Sequence, residues 1–342
     1  MSYLVNPYLF AAYDGASFWK ELDRTKLTGS SDTCTVANFD EMPYLMILSN
    51  ALGSGDVTNR MRVGDGSINT SGVYANRSSY NGASDTTGVN ETYLTDQNAN
   101  AVYTQDFRVT FIDNTSSTMK SFQSSWNFQS TAGASTINDR GTGFSNIDIT
   151  TGRLDNFQLY NDSSGDFIAD TEVVILGADP ATPAPSVWEE LANVTASGSS
   201  QNLSSGTIAD KKYLWIELFQ GGVSDCGLSF NNDNSASYTR RFSSNGGAED
   251  TEVSQTDVSN MIGAGTSGSF GSCFVCNVAD QEKLMIGTQS RSRATGAGSN
   301  SVQNYFWVSK YANTSAAITE IDIDSGTGNF PSTSTLKVYG FS

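Results

Sequence analysis

The sequence predicts an all-β chain of two tandem, homologous antiparallel β-sandwiches, jelly-roll-like in type, joined by a short Pro-rich linker. Three observations carry this. Only 16% of residues are charged, and the rest of the polar surface is Ser, Thr, Asn and Gly, which favour turns and strands because they compete with helical hydrogen bonds or carry glycine's entropy cost. Apolar residues recur with period two in short runs bounded by turn clusters. The chain also repeats itself: Phe18-Trp19-Lys20-Glu21-Leu22 returns 169 positions later as Val187-Trp188-Glu189-Glu190-Leu191.

Length and charge narrow the classes. At 342 residues two domains are expected, each able to bury its own core. A net charge of −17 opposes nucleic acid and anionic membrane as partners. The chain has no histidine, so the commonest general base and neutral metal ligand are missing. The start, Met1-Ser2-Tyr3-Leu4-Val5-Asn6-Pro7, lacks the basic and apolar regions of an export signal, and no apolar run is long enough to span a bilayer as a helix. The expectation is synthesis in the cytoplasm as a soluble chain.

Taken in order, residues 1–16 form an aromatic leader with Tyr3, Tyr8, Phe10 and Tyr13, read as an N-terminal arm packed on its own domain or docked on a neighbouring subunit. The first sandwich is expected over 17–178. An offset of 169 also takes Gly29 to Gly198 and Tyr44-Leu45-Met46-Ile47 to Tyr213-Leu214-Trp215-Ile216. It shrinks to 164 for Tyr74/Tyr238, Arg77/Arg241 and Asn81-Gly82/Asn245-Gly246, and to 163 for Gly165/Gly328 and Phe167/Phe330. Loop insertions in a duplicated domain produce such drift. The linker is 179–186, which holds three of the six prolines and reads as a semi-rigid spacer. The second sandwich is 187–342.

About eight strands are expected per copy. Tyr213, Trp215 and Phe219 alternate with Leu214, Ile216 and Leu218, which suits a strand covered on both sides. Asn245-Gly246-Gly247 reads as a hairpin turn. Residues 53–100 and 243–272, rich in Ser, Gly and Asn, are expected to be long exposed loops. The Trp-x-Glu-Leu block that opens each copy reads either as a helical turn or as the first strand.

Candidate chemistry is sparse. Carboxylates close in sequence are Glu189-Glu190, Asp322 with Asp324, and Asp162 with Asp166. Adjacent Glu189 and Glu190 point apart, and position 189 corresponds to Lys20 in the first copy, so solvated acids are the expectation rather than a glycosidase pair. The oxygen-rich stretches 161–166 and 322–329 are candidate structural calcium loops or tight turns whose Asp and Asn bond their own backbone. Cys34, Cys226, Cys273 and Cys276 are expected as buried free thiols, with a disulfide or metal site as alternatives. On a strand the spacing of Cys273 and Cys276 makes the sulfurs diverge. Trp126, Trp215 and Trp307 lie in strand-like runs, mostly core-facing. No catalytic, cofactor-binding or metal-ligating residue is expected.

The second copy strings together Trp188-Glu189-Glu190-Leu191, Lys212-Tyr213-Leu214, Leu228-Ser229-Phe230-Asn231-Asn232-Asp233, Tyr238-Thr239-Arg240-Arg241, Ser244-Asn245-Gly246-Gly247, Gln281-Glu282-Lys283-Leu284 and Ala312-Asn313-Thr314-Ser315. This string resembles a repeated β-sandwich module of virion structural proteins, mainly of marine tailed phages. The resemblance covers nearly all of 186–342 and, in degenerate form, 17–178. The first copy departs from it at the Asn-Asn-Asp and Glu-Lys-Leu blocks. It implies a non-enzymatic virion component, made in the host cytoplasm and exposed on the particle as capsid decoration or a tail- or fibre-like appendage. The implied partners are itself, as a homo-oligomer such as a trimer, other virion proteins and a host-surface glycan. One alternative is a major capsid protein whose two stacked jelly rolls form pseudo-hexameric trimers; another is a non-catalytic carbohydrate-binding module pair.

Overall fold

The computed structural model describes residues 19–94, 105–116, 118–149, 152–182, 185–222, 226–262, 268–291 and 302–342. The expected arm, 1–16, lies outside them, as do Pro183 and Ala184 of the expected linker. The described residues contain 23 strands and no helix, in antiparallel sheets. By compactness the chain divides into two units, Met1–Ser130 with Gly141–Trp188, and Thr131–Arg140 with Glu189–Ser342.

The first unit holds β1 (Lys20–Lys26), β2 (Thr33–Ala37), β3 (Tyr44–Leu52), β4 (Asn59–Gly64), β5 (Tyr74–Tyr80) and β6 (Thr86–Glu91). It continues with β7 (Gln105–Asp113), β8 (Met119–Gln129), β9 (Asp139–Asp148), β10 (Asn156–Asn161) and β11 (Glu172–Ala178). Its eight-stranded sheet runs β1-β11-β3-β7-β8-β9-β5-β6, and its three-stranded sheet β2-β10-β4.

The second unit holds β12 (Glu189–Thr195), β13 (Asn202–Ser204), β14 (Tyr213–Gln220), β15 (Cys226–Phe230), β16 (Tyr238–Ser244) and β17 (Glu249–Gln255). It ends with β18 (Val258–Ile262), β19 (Ser269–Cys276), β20 (Lys283–Arg291), β21 (Gln303–Tyr311), β22 (Ile321–Ser325) and β23 (Thr335–Phe341). The large sheet, β12-β23-β14-β19-β20-β21-β16-β17, repeats the strand order of the first unit, and β13-β22-β15-β18 repeats the small sheet with one strand added.

Alternation makes each core. On β8, Lys120, Phe122, Ser124 and Trp126 are buried while Met119 and Ser121 are exposed, the period of two that a pleated strand imposes. Phe122 and Trp126 join Leu45, Ile47 and Ile175 of the same sheet against Val36, Met61 and Phe157 of the small one. In the second unit Leu214, Ile216 and Leu218 meet Leu228 and Ile323, the face the sequence assigned to them. All four cysteines are buried thiols outside any disulfide. Cys273 is in the core cluster, and Cys276, three positions on, is outside it.

The Trp-x-Glu-Leu blocks are strands, not helical turns. β1 and β12 start there, and in both the register shifts at the leucine, between Glu21 and Asp23 and between Glu190 and Ala192. The bulge aims Leu22 at Gly177 and Leu191 at Gly340, where a Cβ would come within 2.6 and 2.5 Å of the leucine. The stretches expected as long loops contain β4, β5 and β6 in the first unit, and β17, β18 and the first half of β19 in the second. They escaped notice because β6 and β17 are largely exposed along their length and show no apolar alternation.

Loops are fixed by the same side chains in each unit. Asn114 Nδ2 donates to the carbonyls of Met42 (2.9 Å) and Leu154 (3.3 Å), and its Oδ1 accepts from Leu154 N–H (2.9 Å). Asn277 does the same with Lys211 (2.9 Å), Ile318 (3.2 Å) and Ile318 N–H (2.7 Å). Tyr74 Oη accepts from Val63 N–H and Tyr238 Oη from Phe230 N–H, fastening β5 and β16 to the small sheets. Asn81-Gly82 and Asn245-Gly246 are left-handed throughout, the mirror-image turn that Asn-Gly favours, closed by Ala83 N–H on the Tyr80 carbonyl and by Gly247 N–H on the Ser244 carbonyl.

One buried feature belongs to the first unit alone. Arg108 Nε meets Asp106 Oδ2 at 2.7 Å with both side chains fully buried, Arg108 Nη2 donates to Asn59 O (3.0 Å) and Asn59 Nδ2 to the same Asp106 oxygen (2.8 Å). Losing one partner of such a pair costs about 3–5 kcal/mol.

Asn277→Ala orphans two carbonyls and one N–H, each worth about 1–3 kcal/mol when buried. Urea denaturation should show a loss of about 3 kcal/mol or more; a loss below about 1 kcal/mol would mean the clamp is ornamental.

Candidate functional site

Inner faces are spent on the cores, so the outer faces of the two large sheets carry the accessible chemistry. Across the first, ladder partners set out a row: Met46 opposite Phe111, Phe111 opposite Gln123, then Phe144 opposite Arg77 and Arg77 opposite Thr87. The adjacent row has Asp113 opposite Ser121, Ser121 Oγ bonded to Asn146 Oδ1 at 3.0 Å, and Ala75 opposite Val89. All of these except the buried Met46 line an open groove of about 810 Å3. Phe144 is 49% exposed and Val89 72%. Arg77 pairs with Asp85 at 3.1 Å, the two side chains 60% and 48% exposed. Amides, a guanidinium and aromatic rings in a concave face suit a ligand that offers both apolar surface and hydrogen-bonding groups.

The same ladders in the second unit give Trp215, Phe274, Ile286, Val308, Arg241 and Thr251. Here the outer end is covered. Residues 131–140, which run from the end of β8 into the start of β9, are part of the second unit and are bonded to β16, β17, β21 and Glu282 just before β20. Lys310 Nζ donates to Thr131 O (3.2 Å), Gly133 N–H to Glu282 Oε1 (2.6 Å) and Ser254 N–H to Ala134 O (2.8 Å). Thr239 Oγ1 bonds Asn138 Oδ1 (2.8 Å), Arg241 Nε the Asn138 carbonyl (2.9 Å), and Arg140 Nε Glu249 Oε1 (2.6 Å). The pair Arg241–Glu249 (3.0 Å) matches Arg77–Asp85 but is only 13% and 7% exposed, and Val308 is fully buried. Burial holds the Lys310 ammonium below its ordinary value, against the pull of Glu282. The one trace of this segment in the sequence is its small residues, Ser130-Thr131-Ala132-Gly133-Ala134-Ser135-Thr136, which can lie flat on a sheet.

The other end of the second face is aromatic. Trp215 stacks on Phe274 (5.2 Å between centroids) and meets Tyr339 (5.9 Å), and its Nε1 donates to Ser272 Oγ (2.9 Å). Glu217 lies between Lys337 and Ser272 in the ladders, buried, with no hydrogen-bond partner for Oε1. Burial raises its carboxyl to about 7, although Lys337 pulls the other way. In the first unit the corresponding places hold Leu48 and Val174, opposite each other on the ladder and buried. Nothing in the alternation singled out Glu217.

The sequence candidates are dispersed. Glu189 pairs with Lys211 at 2.7 Å on the exposed edge strand, and Glu190 is exposed. Asn161 Nδ2 bonds the carbonyls of Ser163 and Gly165, its Oδ1 accepts Ser163 N–H, and Asp162 pairs with Arg60, so 161–166 closes as a turn. Asp322 and Asp324 share a face of β22, and Asn202 Nδ2 donates to Asp324 (3.0 Å). Burial raises the Asp322 carboxyl. Among the described residues no three acidic or cysteine side chains are placed to share an ion. Trp126 and Trp307 are core residues, lying where a Cβ on Gly141 or Gly287 would come within 1.9 or 2.0 Å of the indole.

No family model matches the chain, and no curated protein matches it. Among solved structures it is similar to Ail, the attachment invasion locus protein of Yersinia pestis, in complex with the heparin analogue sucrose octasulfate, at 8% identity over 79% of this chain and 99% of that one, with a TM-score of 0.12. It is also similar to the outer membrane protease OmpT of Escherichia coli, at 8% identity over 84% and 98%, TM-score 0.12, and to human GIVD cytosolic phospholipase A2, at 9% identity over 80% and 33%, TM-score 0.13. Similarity this slight carries neither fold nor function to the chain.

Between the ordinary carboxyl value of 4.5 and about 7, folded Glu217 keeps a proton that the unfolded chain has released, so its contribution is present at low pH and is lost as pH rises through 7. The drop is about 3 kcal/mol at most. Thermal midpoints of wild type and Glu217→Gln, compared from about pH 5 to 8, should diverge toward alkaline pH in favour of the variant. Parallel curves would mean that Glu217 is already ionised in the fold.

Proposed function

We propose that the chain is a structural component of a virus particle, exposed on the virion as capsid decoration or as a tail- or fibre-like appendage, working by self-assembly and surface binding rather than by catalysis. The observation that carries the reading is the double use of one scaffold. The same large-sheet order, asparagine clamp, tyrosine bond and bulged first strand occur in both units. This supports reading them as tandem, homologous, jelly-roll-like sandwiches separated by the Pro-rich stretch 179–186. Repeated rigid modules that spend their inner faces on cores act through their outer faces, which suits assembly and contact. The particle itself comes from the resemblance of 186–342 to virion modules.

A second reading, a carbohydrate-binding pair, is favoured by the groove, where Phe111 and Phe144 flank Gln123 beside Asn146. A sugar ring has an apolar face for the rings and hydroxyls for the amides.

Quantitative mass spectrometry of gradient-purified particles from cells carrying the encoding genome, with immunogold labelling, tests the first reading. The expected result is many surface-labelled copies beside a separate, more abundant shell protein. Absence from particles ends the virion reading, and a chain that is itself the sole abundant shell protein replaces the appendage with a capsid.

A further inference from the structure

The small sheet of the second unit turns an acidic face away from its core. We propose that this face binds one calcium ion, held by the carboxylates of Asp322 and Asp324 on β22 together with neutral oxygens from Asn202 of β13 and Ser229 of β15. The inference goes beyond the virion reading and holds whatever particle the chain belongs to.

Alternation sets the face. Leu203, Leu228, Ile321 and Ile323 belong to the core of the second unit, so Asn202, Ser204, Gly227, Ser229, Asp322 and Asp324 point the other way. The ladders place Asp322 between Ser204 and Ser229, and Asp324 between Asn202 and Gly227, so no base adjoins either acid across the sheet. Glu320 continues the alternation but is already engaged, its oxygens accepting from Ser204 Oγ (3.2 Å) and Asn232 Nδ2 (2.7 Å). Asp257 lies over Gly227, where a Cβ would come within 2.8 Å of its Cγ, and deepens the negative potential without joining the pair.

Two observations point to an ion rather than to a merely solvated acidic patch. Asp322 is 5% exposed, and its Oδ2 is buried without a hydrogen-bond partner. A carboxylate withdrawn this far from water calls for a compensating charge. Burial, Glu320 and Asp324 all raise the Asp322 carboxyl, the direction expected where that charge is missing. The first unit carries the opposite charge on the same scaffold. There Arg62 and Arg60 stand where the second unit has Ser229 and Gly227, and Gln158 and Tyr160 stand where it has Asp322 and Asp324. That face satisfies itself, with the Arg62 guanidinium 3.5 Å from the centre of the Tyr160 ring and Gln158 Nε2 donating to Thr35 Oγ1 (3.0 Å). The second face has acids and no such partner.

The ligands select the ion. All are oxygens, the donor set of a hard cation rather than of zinc or copper. Asn202 Nδ2 donates to Asp324 (3.0 Å), which leaves the amide oxygen for the ion. With Ser229 Oγ and water it completes a shell of about six to eight oxygens, looser than the octahedron magnesium demands. Two carboxylates make a weak site, with a Kd of about 10⁻⁴–10⁻³ M. A basic side chain from another protein is a poor competitor, because Asp322 is too deeply buried for a guanidinium to reach.

The test uses the full chain in scanning calorimetry, with CaCl2 compared against NaCl of equal ionic strength, and in isothermal titration with CaCl2. Calcium at about 10 mM is expected to raise the midpoint of the wild type by about 3 °C or more. Asp322→Asn and, at an exposed position, Asp324→Asn are each expected to abolish the rise and weaken binding at least about tenfold, while their own calorimetric transitions show that they fold. Asp148→Asn, which removes an exposed acid of the first unit, should keep the full rise. A wild type indifferent to calcium, a rise that survives both Asp322→Asn and Asp324→Asn, or one that Asp148→Asn reduces as much would each overturn the proposal. So would an equal rise with MgCl2, because screening of the net charge would then account for the effect.

Discussion

The two sheets of each unit differ in width, and much of the structure follows from that mismatch. Eight strands spaced about 4.8 Å apart cannot be backed by three or four. The surplus falls at β5–β6 and β16–β17, at the margin of each core, where the tyrosine bonds of Tyr74 and Tyr238 hold the hairpins to the small sheets. The outermost strands β6 and β17 gain little from the core and are largely exposed, and the outer face of each hairpin becomes a shelf. The second unit covers its shelf with residues 131–140. The first keeps an open shelf that bears Arg77 and Val89, with Phe144 of β9 beside it.

Much of this was legible in the sequence, and what was missed has physical causes. Core-facing alternation located the central strands, and the drift of the repeat from 169 to 163 matched the ladders of both large sheets, because turns absorb insertions and registers do not. The surplus strands were invisible: a hairpin exposed along its length has no reason to alternate, and its Ser, Asn and Gly read as loop. β7 would mislead more directly. Its alternation offers Phe107, Val109 and Phe111 as the core set, yet Asp106, Arg108 and Thr110 face the small sheet. The Arg108–Asp106 pair, closed by Asn59, makes burial of that polar face tolerable, and no single strand reports that a partner waits on another.

The candidate surface was the least legible part. Its residues come from five strands, and they adjoin only because the large sheet orders β7, β8, β9, β5 and β6 side by side. Sequence proximity favoured the acidic pairs, which proved to be an edge charge at Glu189, turn residues at 161–166, and Asp322 with Asp324 on an inner strand of the small sheet. Strand order rather than spacing creates the groove. The assignment of 131–140 to the second unit is equally opaque to a repeat search, which places a connection with the strands it joins.

The tryptophans set a limit on how alike the two cores are. In the first unit the bulky core side chain stands on β8 as Trp126, over Gly141 of β9; in the second it stands on β21 as Trp307, over Gly287 of β20. A β8 segment transplanted into β20 would bring Ser124 to the place of Gly287, against an indole that leaves no room for a Cβ. The reverse exchange would put Gln289 in the place of Trp126 and leave a hole. The two strands are therefore not interchangeable one at a time: each core is closed by its own pairing of a tryptophan with a glycine on the neighbouring strand.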